Sequence, residues 1–275
     1  MKEIYLIYIF ILVAISAITI IYYMNLKYTL NSSYIINNNY IINGIPNNVY
    51  LTWSSLNVTK NMYSTVLHNI NNNPEFNFYI YDDNACIDFI KNHFDSDVLY
   101  VYNNLKPGAY KADLFRYCIL YIYGGVYMDI KFILHKKLKY LIMKYNYIFV
   151  CDLQTDKTCK GGCFNGFIIS AKNNNIFIDC IKQIVINYKN NYFGLNSLYP
   201  TGPCLLGNII QTNYPFINYK LYVVFKPDGY TINDDENNII ISQYPQYRSD
   251  LYYFSKTKHY SELWDNNNIY NFPNL

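Results

Sequence analysis

The chain lacks the short motifs that mark several large enzyme classes. It contains no G-x-G-x-x-G, no P-loop, no H-E-x-x-H and no G-x-S-x-G. These absences weaken the dehydrogenase, phosphotransferase, metalloprotease and serine-hydrolase readings. Its seven cysteines, Cys86, Cys118, Cys151, Cys159, Cys163, Cys180 and Cys204, include no C-x-x-C pair, so a zinc knuckle is not expected. An odd count cannot pair completely within one chain. A Cys159–Cys163 bridge across Lys160-Gly161-Gly162 and a set of buried or unpaired thiols both stay open. Charge is also scarce: 15% of residues are charged, the net charge is +3, and the basic residues are dispersed among acids. Without a dense basic stripe, a nucleic-acid partner is not expected. His68, His93 and His135 have no sequence neighbours that suggest a metal site or a catalytic dyad, and no internal repeat or second domain boundary is visible.

What is present is apolar. Of 275 residues, 52% are hydrophobic, enough for a sizeable core in one large domain or two small ones. Asn, Ile and Tyr are abundant, a bias that matches A- and T-rich codons and says little about function. From Ile4 to Met24 no residue is charged. As a helix this run reaches about 30 Å, the thickness of a bilayer's hydrocarbon core. A cleaved signal peptide, for which Ala14-Ile15-Ser16 offers a tolerable site, has an apolar region of only about 7–15 residues. The preferred reading is an uncleaved transmembrane anchor at 4–24 after a flank at 1–3. Lys2 and Lys27 flank it almost evenly, so orientation is not set by charge. The Asn-rich run that follows reads as a stalk over 25–44, before a folded body over 45–275. Sequons at Asn31-Ser32-Ser33 and Asn57-Val58-Thr59 suit a lumenal body, and in so Asn-rich a chain they also arise by chance.

In that body the pattern predicts strands at Val49–Trp53 and Phe76–Tyr81. Helices are predicted at Thr59–Ile70 and, capped by Asp82-Asp83, at Asn84–His93. A helix over Tyr110–Tyr123 follows, with Leu114, Cys118 and Tyr121 on a buried face and Asp113 and Arg116 on another. Phe164–Ser170, Ile176–Tyr188 and Tyr222–Phe225 continue the alternation. Alternating elements imply an α/β fold with a mainly parallel sheet and right-handed crossovers.

The segment Lys111 to Lys131, K-A-D-L-F-R-Y-C-I-L-Y-I-Y-G-G-V-Y-M-D-I-K, is the richest in chemistry. Asp113 and Arg116 lie three residues apart on a helix and so share one surface. Gly124-Gly125 can take positive φ and stop the helix, and Val126-Tyr127 starts a strand. Asp129 then falls at the strand's C-terminal end, where open α/β sheets bind ligands. Taken alone, Asp113 and Arg116 are an ordinary surface ion pair worth about 0.2–0.5 kcal/mol. Asp129 taken alone is an ordinary turn cap.

Together they resemble glycosyltransferase family 32, which includes fungal α-mannosyltransferases and viral sugar transferases. The pattern is an Asp and an Arg on a helix, then Gly-Gly-x-Tyr-x-Asp-x-Asp. Here A-D-L-F-R, G-G-V-Y and Asp129 match it, and Lys131 stands where the second Asp of D-x-D belongs. I-P-N-N-V-Y-L-T-W (Ile45–Trp53), N-P-E-F-N-F-Y-I-Y-D-D (Asn73–Asp83), F-N-G-F-I-I-S (Phe164–Ser170), T-G-P (Thr201–Pro203) and H-Y-S-E-L-W (His259–Trp264) resemble further family signatures in the same order.

The resemblance implies a GT-A-type, Rossmann-like nucleotide-sugar-binding domain. It also implies a retaining hexosyltransferase that uses a UDP- or GDP-hexose and a glycan, glycoprotein or glycolipid acceptor. It assigns Asp129 to catalysis and, through D-x-D, to a divalent cation such as Mn2+ or Mg2+. Side chains at i and i+2 of a strand share a face, so Lys131 is expected where the second ligand would be, its ammonium replacing part of the metal's charge. Asp113 and Arg116 are expected to hold the donor, and Thr52 and Trp53 to close the first strand beside it. Trp53 suits stacking on the base about as well as core packing. Asn165 beside Gly166 either aims an amide at the sugar or makes a turn. Thr201-Gly202-Pro203 leads into a helix. His259, Ser261 and Trp264 form either a lid over the diphosphate or part of the core. The location implied is a single-pass protein, type II, of a secretory-pathway or virus-modified membrane. The alternative function is a non-catalytic nucleotide-sugar or glycan binder derived from such an enzyme.

Overall fold

The computed structural model describes residues 8–16, 28–35, 40–152, 159, 161–227, 229–254 and 258–272. Residues 8–16 form helix α1, which is the described part of the expected anchor; the rest of 4–24 lies outside the described residues. Among the described residues no helix is long and apolar enough to cross a membrane.

In chain order the strands are β1 (Tyr28–Thr29), β2 (Ser33–Tyr34), β3 (Ile41–Ile42), β4 (Ile45–Pro46), β5 (Asn48–Thr52), β6 (Asn57–Val58), β7 (Asn77–Tyr81), β8 (Gly125–Met128), β9 (Phe132–Leu134), β10 (Ile148–Cys151), β11 (Cys163–Ser170), β12 (Leu221–Lys226), β13 (Gly229–Asp234) and β14 (Ile239–Gln243). The helices after α1 are α2 (Lys60–Asn72), α3 (Asp83–His93), α4 (Ser96–Asn104), α5 (Gly108–Tyr123), α6 (Leu138–Lys144), α7 (Asn175–Lys189), α8 (Pro203–Asn213), α9 (Tyr247–Phe254) and α10 (Tyr260–Asp265). Local chemistry starts several of them. The side chains of Thr59, Asp82 and Asp95 accept hydrogen bonds from the backbone N–H of Met62, Ala85 and Val98 at the first turns of α2, α3 and α4. Pro203 opens α8, as the T-G-P signal predicts.

Ten strands form one sheet in the order β2-β7-β5-β8-β11-β10-β12-β13-β14-β9. Among the described residues, parallel pairing is confined to β5 with β7, β5 with β8, and β10 with β12. The remaining pairs are antiparallel, so the sheet is mixed rather than mainly parallel. The β12–β13–β14 run turns back through short connections and needs no crossover helix. The stalk reading also changes. β1 pairs with β6, β2 joins the large sheet beside β7, and Leu30 is buried, so an apolar residue inside the Asn-rich run ties residues 28–34 to the body.

Each central strand buries both faces, as strands covered by helices do. Tyr50, Tyr127 and Ile168 join the core under α3, α4, α5 and α7. Val49, Leu51, Val126, Met128, Phe167 and Ile169 join the opposite core with α2 and α6. The chain runs from β5 to β7 on one side of β5 and returns through α3, α4 and α5 to β8 on the other. The C-terminal ends of β5 and β8 therefore flank a topological switch point.

Helix α5 departs from the amphipathic expectation. Asp113 and Arg116 are buried together with Leu114, Phe115, Tyr117 and Cys118. The helix packs against β8, α3, α4, α7 and α10, which leaves no solvent face along its middle. It ends at Gly124 (φ 64°), followed by Gly125 (φ 103°). A Cβ would come within 2.4 Å of Lys172 N at Gly124 and 2.6 Å of Asn48 O at Gly125. Glycine at both positions lets the helix feed directly into the middle of the sheet.

Cysteine pairing is corrected as well. Cys159 bonds to Cys204, at the start of α8, and not to Cys163. Cys163 opens β11, buried opposite Cys151, where strand pairing holds it.

Candidate functional site

Four charges alternate along one line at the end of β8. Arg116 Nη2 lies 3.1 Å from Asp113 Oδ1 and 3.6 Å from Asp129 Oδ1, and Lys131 Nζ lies 2.6 Å from Asp129 Oδ2. The sum of the four formal charges is zero. Unpaired charges at this depth would each cost several kcal/mol, so the alternation is what makes their burial tolerable.

Asp113 and Arg116 form the inner half. Asp113 Oδ1 also accepts from Asn165 Nδ2 (2.9 Å), and Oδ2 accepts from the Thr201 hydroxyl (2.7 Å). The guanidinium donates through Nε to Ala112 O (3.1 Å) and through Nη1 to Asn165 O (2.6 Å), and it lies 4.6 Å from the Tyr127 ring centre. Both side chains keep at most a tenth of their surface exposed. Their polar atoms are largely committed to protein partners, which makes the pair a rigid backing for Asp129. Burial pushes the Asp113 carboxyl above its ordinary value, against the pull of Arg116, Thr201 and Asn165. Burial opposes the Arg116 charge too, yet Tyr127, Asp113 and Asp129 hold it protonated well above its usual range.

Asp129 and Lys131 form the outer half, with side chains 20% and 16% exposed, so a ligand approaching the cluster meets this pair first. Lys131 does not sit two residues along a strand from Asp129. β8 ends at Met128, and Asp129 to Phe132 form a turn closed by Phe132 N donating to Asp129 O (3.1 Å). That turn brings both side chains together more tightly than a shared strand face would. Asp129 is fixed further by its N–H donating to Gly166 O (2.8 Å) and by the Tyr127 hydroxyl at 3.3 Å. Burial pushes its carboxyl up, but Lys131 and Arg116 outweigh that and hold it below its ordinary value. Burial likewise disfavours the ammonium of Lys131, and Asp129 with Tyr230 and Tyr247 more than compensates.

The other expected site residues divide. Asn165 is part of the cluster, brought there because β11 pairs with β8 and puts Gly166 beside Asp129. Thr52 ends β5 and donates to Tyr81 O, and Trp53 packs against the core on the α2 side. His259 caps α10, hydrogen-bonding Ser261, while Trp264 donates its indole N–H to Phe193 O and packs on the core. All three have structural work in the fold. Their neighbour Tyr260 lies nearer the cluster, within electrostatic reach of Asp113 and Lys131.

Several participants were not anticipated. Thr201 orients Asp113, Tyr127 and Tyr117 line Arg116 and Asn165, and Tyr230 and Tyr247 flank Lys131. Tyr127 carried a sequence signal as the tyrosine of G-G-V-Y, and Thr201 carried one in T-G-P, which reads as a helix start.

The donor set fits a divalent cation poorly. Such an ion takes several hard oxygen ligands, preferably carboxylates. Here one oxygen of Asp129 faces the Lys131 ammonium and the other faces Arg116. Among the described residues, no group of three His, Cys, Asp or Glu side chains could hold a metal ion.

The acid–base cluster stands at the strand ends of an α/β switch point, the place where open α/β sheets bind ligands. Residues 58–148 match the family described as the glycosyltransferase sugar-binding region containing a DXD motif, and the curated relatives that the chain resembles are glycosyltransferases. It is 38% identical over 66 residues to an uncharacterized glycosyltransferase, L373, of Acanthamoeba polyphaga mimivirus, covering 24% of this chain and 26% of that one. It is 24% identical over 168 residues to inositol phosphoceramide mannosyltransferase 3 of Schizosaccharomyces pombe, covering 60% of this chain and 44% of that one. The chain thus spans less than half the length of either curated relative. A solved structure, the PaToxG glycosyltransferase, aligns over 63% of this chain and 71% of its own, with 19% identity and a TM-score of 0.47.

Proposed function

We propose that this chain transfers a hexose from a UDP- or GDP-sugar to a hydroxyl of a glycan, glycoprotein or glycolipid, with retention of anomeric configuration. The observation that carries the reading is Asp129. It lies at the C-terminal end of β8 inside the matched sugar-binding region, clamped between Arg116 and Lys131. The mannosyltransferase among the relatives makes mannose the first sugar to try.

In a front-face reaction the bond between the anomeric carbon and the diphosphate oxygen breaks, and its electron pair stays on the diphosphate. The acceptor oxygen bonds to the anomeric carbon from the same side. Its proton passes to the departing diphosphate, so no protein nucleophile or general base is required. The chain's task is then positioning and charge stabilisation. Asp129 orients Lys131 and can accept hydrogen bonds from donor-sugar hydroxyls. Lys131 faces the charge that grows on the leaving group. Asp113, Arg116, Asn165 and Thr201 keep Asp129 still.

The reading includes membrane attachment through residues 4–24. The Cys159–Cys204 disulfide supports placing the body on an oxidising, lumenal side, as a type II topology would.

Incubating the full chain with a panel of nucleotide sugars and measuring nucleoside diphosphate release tests the proposal. Release from at least one donor, abolished by Asp129→Asn, is expected. Tight binding with no turnover of any donor would instead establish a non-catalytic sugar-nucleotide binder.

A further inference from the structure

We infer that Lys131 is a built-in counter-charge for a diphosphate, so that this site engages its nucleotide without a divalent cation. The inference rests on the nucleotide-sugar reading above and adds to it what neutralises the ligand.

Charge arithmetic comes first. Replacing the second carboxylate of a D-x-D pair by an ammonium changes the formal charge at that position from −1 to +1, a difference of +2. A divalent cation brought to an intact D-x-D pair supplies the same +2. The Asp129-Ile130-Lys131 turn thus already has the charge balance that a D-x-D pair reaches only after binding metal.

Geometry supports this substitution of roles. Lys131 Nζ lies 2.6 Å from Asp129 Oδ2, where a cation bound by Asp129 would be expected. It does not hang free. Its ammonium lies 5.2 Å from the ring centre of Phe132, 5.8 Å from that of Tyr230 and 5.6 Å from that of Tyr247. Rings at these distances attract a cation. Two come from elsewhere in the chain, Tyr230 on β13 and Tyr247 at the start of α9. Lys131 O also accepts from Tyr244 N (3.0 Å), which pins the turn from the same side. Backbone and head group are therefore both held before any ligand arrives, and preorganised charge loses little on binding. An ammonium has three donors, and Asp129 accepts one of them at 2.6 Å. A divalent cation placed on Asp129 would meet this ammonium as a like charge at close range.

Calorimetric titration of the full chain with UDP and with GDP, in EDTA and again in Mn2+ or Mg2+, tests the inference. The expected result is a nucleoside diphosphate that binds in EDTA with a Kd within about threefold of its value in metal. Lys131→Arg, which keeps the charge, should retain metal-free binding. Lys131→Asp, which restores the D-x-D pair, should weaken binding in EDTA by about tenfold or more and recover it on adding Mn2+. Circular dichroism establishes that each variant is folded, and the parent titration decides the matter even if Lys131→Asp fails to fold. Binding by the parent only in the presence of metal would overturn the built-in counter-charge and leave the glycosyltransferase proposal intact. No binding of either nucleotide in any buffer would overturn the nucleotide-sugar reading itself.

Discussion

Gly166 makes room for Asp129. Its carbonyl accepts the Asp129 N–H at 2.8 Å, and a Cβ on Gly166 would stand 2.7 Å from Asp129 Oδ2 and 2.7 Å from the Phe164 ring. The site is thus shaped by an absent side chain on β11, one strand away from its principal acid.

Gly166→Ala should therefore damage activity without touching a charged group. Asp129 is short and held on several sides, so the added methyl must push it from its place between Lys131 and Arg116. A displacement of about 1 Å can cost roughly a hundredfold in rate. Turnover of the donor identified in the nucleotide-sugar panel should fall by about that factor while the circular dichroism spectrum stays native. Activity equal to the parent's would show that Asp129 tolerates movement.

Asp129→Asn keeps the shape and removes the charge. Donor turnover should fall by about a hundredfold or more. Stability should respond to pH in a defined way. The folded-state carboxyl lies below its ordinary value because Lys131 and Arg116 outweigh burial. Such a group contributes stability that is fully present above the unfolded-state pKa, about 3.9, and is lost as pH falls through the lower folded value. The melting-temperature gap between parent and Asp129→Asn should hold steady from neutral pH down to about 4 and narrow below it. A gap that narrows already between pH 7 and 5 would contradict the depressed carboxyl.

Arg116→Ala removes the counter-charge shared by Asp113 and Asp129. Breaking a buried pair in this way should cost about 3–5 kcal/mol in urea denaturation. Donor affinity should fall with it, because Asp129 loses its backing. Thr201→Val removes a hydrogen bond to a charged acceptor and should cost less, about 1.5–3 kcal/mol. If the two variants proved equally mild, the inner half of the cluster would not be the rigid support described above.

The Cys159–Cys204 bridge spans a sequence separation of 45 and ties the chain ahead of β11 to the start of α8. Cys204→Ser should lower stability by about 2–4 kcal/mol, and a reducing agent should lower the parent to a similar level. Cys163→Ser leaves the bridge intact, so any loss it causes should be insensitive to reductant. A Cys163→Ser variant that loses its response to reductant would place the bridge elsewhere.

Much of the site was legible because its chemistry is local. Spacing alone puts Asp113 and Arg116 on one helix surface, lets Gly124-Gly125 end that helix, and delivers Asp129 to the end of a strand. Helical and strand periodicity likewise located α2, α3, α5, α7, β5, β7, β11 and β12 to within a few residues. The environment of those residues was not legible in the same way. Taken alone, Asp113 and Arg116 read as a surface pair, and with the family pattern as donor ligands, because the α5 sequence does not reveal that sheet and helices cover every side of its middle.

The order of residues thus determined which groups the chain could offer to a site and which local turns would present them. Tertiary structure alone decided that Asn165 and Thr201 grip Asp113, that Tyr230 and Tyr247 enclose Lys131, and that Cys159 pairs with Cys204. The physical reason is that a strand's period-2 pattern is the same whether its neighbour runs parallel or antiparallel. Which distant side chains meet therefore depends on strand order and register. In a chain so rich in Tyr, Tyr230 and Tyr247 carry no local mark of difference, and only the β12–β14 turns and the start of α9 bring them to the site.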